Sequence, residues 1–269
     1  MIDIKNFEFK KNFGQNFIFD KNLLSSIVSD AKITKEDNVL EIGAGAGTLT
    51  AKIAESAKKV ISYEIDKTLT EHLNNLTNNF NNLEIKIKDA LKEPIEEIEK
   101  DFNGEDYKIV ANLPYYITSP LIFKFVEETN RAKSITVMIQ KEVAERFVAK
   151  PNSKDYGIAT IMLNYYADIK YLRTINRKVF NPAPNVDSAL IQIIPNPNKP
   201  KAKNKQNFKK LVQSSFSMRR KTLVNNLTKN YNTDKEKLIP LLEKLNKPLT
   251  ARAEELSLSD FIYLADNIN

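Results

Sequence analysis

Short segments made almost wholly of apolar residues alternate along this chain with helical stretches, and that alternation limits the fold more than any other feature. Val39-Leu-Glu-Ile42, Val60-Ile-Ser-Tyr63, Glu84-Ile-Lys-Ile-Lys88, Tyr107-Lys-Ile-Val-Ala111 and Ser134-Ile-Thr-Val-Met-Ile139 read as strands. Helices are expected at Lys21–Ala31 (capped by Asp20), Thr48–Ala57, Lys67–Asn79 and Ser119–Glu127. In the second of these, Leu49, Ile53 and Ala57 share one face. Strands that alternate with helices build a parallel sheet through right-handed crossovers, and short apolar strands fit a sheet covered on both faces. After helical stretches at Lys141–Val148 and Gly157–Ala167, two more strands near Lys170–Ile175 and Ser188–Ile194 complete a seven-stranded, mostly parallel sheet with an antiparallel edge.

The pattern changes at Pro195-Asn-Pro-Asn-Lys-Pro200, where three prolines in six residues can continue neither sheet nor helix. Residues 1–196 therefore read as one α/β domain and 201–269 as a small all-α domain. Its helices are expected at Gln206–Phe216, Arg219–Lys229, Asp234–Leu245 and after Ser257, which with Asp260 has capping-box spacing. Residues 1–19 form an arm in which Lys10-Lys-Asn-Phe-Gly-Gln-Asn-Phe17 interleaves basic, amide and aromatic side chains.

In open α/β sheets ligands bind at the carboxyl ends of the strands. The strand ending at Ala111 runs into Asn112-Leu113-Pro114-Tyr115-Tyr116. Pro114 cannot donate to a ladder, so a stiff turn follows. The Asn112 amide oxygen and the Leu113 or Pro114 carbonyl can accept the two N–H bonds of an exocyclic amino group, while the Tyr115 ring stacks on its base. Alone, the motif is equally readable as an ordinary strand-to-helix turn.

The strand ending at Ile42 runs into Gly43-Ala-Gly45-Ala-Gly47. A dinucleotide fingerprint would place its third glycine later, at a pyrophosphate-binding helix N-terminus, so the spacing argues against NAD and FAD. Glu64, 21 residues after Gly43, ends the second strand and is placed to accept from ribose hydroxyls. Asp89 ends the third and can accept from an adenine amino group. With Glu41, these carboxylates suit a nucleoside carrying no phosphate and a positive charge. S-adenosyl-L-methionine is such a molecule.

Composition narrows the chemistry further. The chain has no cysteine, which excludes disulfides, cysteine-ligated metals and a cysteine nucleophile. Its one histidine, His72, falls in the expected surface helix Lys67–Asn79 and reads as structural, so no metal site is expected. No apolar run reaches the ~18 residues of a membrane span. A cytoplasmic location is expected. The +7 net charge is uneven: Lys170–Lys221 holds 13 Lys and Arg against one acidic residue, Asp187. That reads as a nucleic-acid footprint, or in part as a solvated linker.

With Gly43–Gly47, Glu64, Asp89 and Asn112–Tyr115 in this order, the chain resembles S-adenosylmethionine-dependent adenine methyltransferases. Phe13-Gly-Gln-Asn-Phe17, Asn112–Pro120, Phe180-Asn-Pro-Ala-Pro-Asn-Val-Asp-Ser188, Phe216-Ser-Met-Arg-Arg-Lys-Thr-Leu223 and Arg252-Ala-Glu-Glu-Leu256 make the likeness closer. Together they resemble the KsgA family, also called RsmA, the small-subunit (16S) ribosomal RNA adenine dimethyltransferases. The resemblance runs from about Lys11 to Ile268. It implies a Rossmann-like class I methyltransferase fold. It implies that Asn16, Ile18, Glu41, Gly43, Gly45, Glu64, Asp89 and Asn112 bind the cofactor. Asn112, Leu113, Pro114 and Tyr115 would hold the target base, with Phe180 on its other face or simply in the core. Ile18 stands where the family usually has Leu, and Tyr116 where many members have Asn. The family implies two methylations on each of two adjacent adenines in a 16S hairpin loop, within the small ribosomal subunit, and a part in subunit assembly. The protein is expected to be a monomer that contacts RNA through Arg219, Arg220 and Lys221 on a helix N-terminal turn. An Erm-type large-subunit RNA methyltransferase and a non-catalytic RNA-binding factor on the same fold are the competing readings. Thr118-Ser-Pro120 and Phe216–Leu223 argue against the first, and the intact Asn112–Tyr115 and Gly43–Gly47 motifs against the second.

Overall fold

The computed structural model describes residues 16–268. Contacts divide the chain into two units: the chain up to Ala144 with Ile169–Pro195, and Glu145–Asp168 with the chain from Asn196 onward. In order, the first unit holds β1 (Phe17–Ile18), α1 (Lys21–Asp30), β2 (Asn38–Ile42), α2 (Thr48–Ala54), β3 (Lys59–Glu64), α3 (Thr70–Thr77), β4 (Leu83–Ile87), α4 (Ile95–Lys100), β5 (Tyr107–Asn112), α5 (Thr118–Glu128) and β6 (Ala132–Gln140). Past α6 (Lys141–Phe147) and α7 (Ile158–Tyr166) come β7 (Ala167–Ile175), β8 (Phe180–Asn181) and β9 (Ser188–Pro195).

Seven strands form one sheet in the order β4-β3-β2-β5-β6-β9-β7. β4, β3, β2, β5 and β6 run parallel, and β9 pairs antiparallel to β6. The expected sheet is present, with its antiparallel strand one place in from the edge. All five residues of β2 are buried, as a strand covered on both faces requires. Asp20 caps α1 by accepting from Asn22 N (2.8 Å) and Leu23 N (3.1 Å). α4 has no counterpart in the sequence reading. It is only six residues long, follows Pro94, carries Glu96 and Glu97 in its first turn, and buries Ile95 and Ile98. So short a helix has little periodicity to detect, but its proline and acidic start are legible.

Register fixes where the strand ends meet. Ile42 lies opposite Tyr63 on one side and Ala111 on the other. Gly43, Glu64 and Asn112 therefore emerge at one level on one sheet edge, and Gly43 N donates to Tyr63 O at 2.8 Å. A second, two-stranded sheet was not anticipated. β1 pairs antiparallel with β8, Phe17 opposite Asn181 and Ile18 opposite Phe180. This fastens the described end of the arm beside the sheet. Positions 10–15 of the arm lie outside the described residues.

The second unit contains α7, α8 (Lys205–Ser215), α9 (Leu223–Asn230), α10 (Lys235–Lys244) and α11 (Leu258–Asn267). The Ser257–Asp260 capping box is formed, with Ser257 N donating to Asp260 (2.9 Å) and Asp260 N to Ser257 Oγ (3.2 Å). Two features differ from the sequence reading. Residues 145–168, read by sequence as part of the α/β domain, group by their contacts with the C-terminal helices. The reason is α7, which buries Thr160, Ile161, Met162, Leu163 and Tyr165 and packs against α8 and α11. Arg219–Lys221 is not a helix turn. Thr222 accepts from Asn225 N (3.3 Å) and starts α9 at Leu223, leaving the three basic residues in the exposed α8–α9 connection. No described helix is long and apolar enough to cross a membrane.

Candidate active site

A cavity of about 240 Å³ opens where β2, β3, β4 and β5 end. That is far more than the ~30 Å³ a water occupies, and suits a small organic ligand. It is walled by the glycine loop, the turn after β5, the β1 end of the arm and Phe180.

Gly45 shows why the loop needs glycine. Its φ is +54°, and a Cβ there would stand 2.6 Å from Cε1 of Phe17. The missing side chain lets β1 close over the loop. Thr48 adds a tie by donating to the Ile18 carbonyl at 2.8 Å. Phe17 thus lines the cavity, a role the sequence did not assign to it.

Glu64 ends β3, is 5% exposed and is gripped by backbone. One carboxylate oxygen, Oε2, accepts from Gly45 N (2.8 Å), and Oε1 accepts from Ile65 N (2.9 Å) and Asp66 N (2.8 Å). These three bonds orient the carboxylate and leave Oε2 room for another donor. Asp89 also lines the cavity; its Oδ1 accepts from Leu91 N (3.0 Å), and Lys92 lies 3.7 Å from Oδ2. Lys88 is beside it, its amine paired with Glu93. Ile65, 47% exposed, flanks Glu64 on the wall. Its only sequence signal was its place after an acidic strand end.

Glu41 does not line the cavity and is corrected as a candidate ligand. Its side chain is fully buried on the face of β2 opposite Ser62, whose hydroxyl donates to Oε2 at 2.6 Å. Among the described residues its Oε1 makes no well-formed hydrogen bond, although the Thr50 hydroxyl of α2 faces the carboxyl. Burial pushes this carboxyl up to about 7, and the charge of Glu64 adds in the same direction.

At the other end of the cavity, the Asn112 amide nitrogen donates to the Asn16 carbonyl at 2.8 Å. A carbonyl can only be paired by the NH2 half of the amide, so Oδ1 is the half left to accept. The Pro114 carbonyl is already taken, by Ile117 N (3.1 Å) and the Thr118 hydroxyl (3.2 Å). Leu113, 2% exposed, lines the same cavity. Tyr115 is pinned through its hydroxyl to Ser188 at 3.1 Å, and burial raises its pKa, so the ring stays neutral. Phe180, 5% exposed, is held in β8 by pairing with Ile18, whose own side chain is buried. Asn16, Ile18, Gly43, Gly45, Glu64, Asp89, Asn112–Tyr115 and Phe180 therefore share one cavity. Arg219, Arg220 and Lys221 belong to the second unit. His72 stands with Nε2 3.0 Å from the Ala46 carbonyl. Among the described residues no cluster of His, Asp or Glu is arranged to hold a metal.

Comparisons with known proteins bear on the family and the fold. A family model described as "Ribosomal RNA adenine dimethylase" matches residues 6–266. The chain is 42% identical over 267 residues to "Ribosomal RNA small subunit methyltransferase A" of Bacillus mycoides, covering 97% of this chain and 91% of that protein. The Bacillus cereus protein of the same name matches at the same identity and coverage. Among solved structures, a dimethyladenosine transferase from Plasmodium falciparum superposes with a TM-score of 0.75 at 32% identity, covering 92% of this chain and 95% of that one. The 23S rRNA methyltransferase ErmE reaches 0.72 over 94% of this chain and 99% of its own, but at 23% identity it shares the fold alone. The chain belongs to the ribosomal RNA adenine dimethylase family.

Proposed function

We propose that this protein uses S-adenosyl-L-methionine to dimethylate the N6 amino groups of two adjacent adenines in a hairpin loop near the 3′ end of 16S ribosomal RNA, in the small subunit. The observation that carries the reading is the orientation of Asn112, whose acceptor oxygen is fixed at one end of a cavity that has ribose-type acceptors at the other. The cofactor fits the donor set. Glu64 retains acceptor capacity after its three backbone bonds, Asp89 sits at the next strand end, and the Gly45 cradle would be filled by any Cβ. Gly43, Asn16 and Ile18 would complete the binding wall.

When bound, S-adenosylmethionine supplies an electrophilic methyl group on a good leaving group. The rest falls to the protein. An adenine amino nitrogen is a poor nucleophile because its lone pair is delocalised into the ring. Asn112 Oδ1 would accept one of its N–H bonds. The Leu113 carbonyl would accept the other, since the Pro114 carbonyl is occupied. Accepting both favours a pyramidal nitrogen with its lone pair directed along the line of transfer. No base is needed beforehand, because the product amine can release its proton to water. Catalysis is then positioning and electrostatics. Tyr115 and Phe180 would stack on the extruded base at about 1–3 kcal/mol each, comparable to the cost of unstacking it. Pro114 fixes the turn that presents Tyr115.

The test is methyl incorporation from labelled cofactor into purified unmethylated small subunits, with large subunits alongside. Label confined to the small subunit, recovered as N6,N6-dimethyladenosine, is expected. Label in the large subunit alone would favour the Erm-type activity, and cofactor binding with no label in either would sink the enzymatic reading.

A further inference from the structure

Tyr116 is unexplained by the site described so far. It is 62% exposed, the most exposed aromatic side chain among the described residues, and it stands on the wall of the cavity. Exposure alone would mean little for a single ring, but this one lines a ligand cavity together with the exposed Ile65, so it offers a flat apolar face to whatever enters there. The backbone under it is stiff. Pro114 precedes it by two residues, and Ile117 N closes the turn onto the Pro114 carbonyl at 3.1 Å. One residue earlier, Tyr115 is drawn inward by its bond to Ser188. One rigid turn thus presents two consecutive rings, one anchored and one at the rim.

We infer that Tyr116 is a stacking platform for the nucleotide next to the target adenine. The inference rests on the function proposed above. When a base leaves its stack, its neighbour in the strand loses the covering on one face. A ring at the mouth of the cavity can take over that face, and every base offers a π-surface for it, so the contact works whichever nucleotide is adjacent. With Tyr115 and Phe180 on the target itself, the site would grip two successive nucleotides. In a substrate with two adjacent target adenines, the same rim would serve whichever one is waiting. The contact is made in the bound complex both before and during transfer, so it belongs mainly to substrate binding.

The experiment compares Tyr116→Ala, Tyr116→Leu and Tyr116→Phe with the native enzyme on small subunits. Subunit KM, kcat, cofactor affinity and thermal unfolding are measured for each. We expect KM to rise on the order of 5- to 100-fold in the Ala and Leu forms, the worth of one base–aromatic stack, and to stay within about twofold in the Phe form. Cofactor affinity and unfolding temperature should be unchanged in all three, because the ring is exposed. Three results would overturn the inference: native KM in the Ala form, rescue by Leu as complete as by Phe, or a parallel loss of cofactor affinity, which would make Tyr116 a cofactor wall. A native enzyme inert on small subunits would instead overturn the proposed function, and this inference with it. A native enzyme that works beside an equally active Ala form would overturn this inference alone.

Discussion

Glu41 and Glu64 sit on neighbouring strands and on the same face of the sheet, yet they face different demands. Glu64 is gripped by three backbone donors at the cavity edge, whereas Glu41 is sealed under α2 with only the hydroxyls of Ser62 and Thr50 facing it. Its folded carboxyl titrates near 7, against about 4.5 for an ordinary one. The folded protein therefore keeps a proton that the unfolded chain has given up. By linkage, this residue's contribution to stability is complete below about pH 4.5, falls as pH rises, and is lost by about pH 7. Glu41→Gln keeps the shape without the titration. The prediction is that the variant lacks this fall between those limits and gains on the native protein as pH approaches 8. Denaturant unfolding across a pH series measures it; identical slopes for the two proteins would mean that Glu41 is charged in place. The sequence revealed both acids but could not separate them. Parity along β2 turns residue 41 toward Thr50 and Ser62, and the ligand edge begins only at Gly43.

At the scale of elements, the strands were legible because burial on both faces leaves continuous apolar runs, and Asp20 and Ser257 marked helix starts through their side-chain chemistry. β1 and β8 were not legible. Two residues each carry no periodicity, and their pairing joins positions more than 160 residues apart. Yet this small ladder is what brings Phe17 against Gly45 and fixes Phe180 at the cavity. Gly45→Ala tests the arrangement. A non-glycine residue at φ +54° costs roughly 1–2 kcal/mol, and the new methyl must also displace the Phe17 ring. We expect calorimetric titration to find S-adenosylmethionine affinity lower by about tenfold or more. Adding Phe17→Leu should restore part of the loss, since it clears the space but leaves the backbone strain. Native affinity in the single variant would show that β1 does not need to close on the loop.

Across the whole molecule, charge counting promised more than the fold delivers. The basic run Lys170–Lys221 is split between the two units at Asn196. Within it Arg173 pairs with Asp30 (2.7 Å), Lys199 with Asp168 (2.9 Å), and Arg219 donates to the Lys154 carbonyl. The exposed Arg220 and Lys221 make no ion pair among the described residues, so they are the better candidates for docking RNA. This also decides how docking is to be tested. Cutting the chain near Pro197 would strip α8 and α11 from α7 and expose its buried Ile161, Met162 and Leu163, so a dead fragment would say nothing about RNA. Reversing charge in the α8–α9 connection leaves every packed residue alone. Contacts of this kind are mainly to phosphates, and each adds about 0.7–0.9 to the salt slope of binding. For Arg220→Glu with Lys221→Glu we expect weaker small-subunit binding at physiological salt and a log–log salt slope shallower by about 1.5–2. Cofactor affinity should not change, because the cavity is built from the other unit. Binding measured over a salt series checks the pair of effects together. An unchanged slope with unchanged affinity would remove this connection from the docking surface, whereas weaker binding at an unchanged slope would mean that the two side chains act through structure and not through phosphate charge.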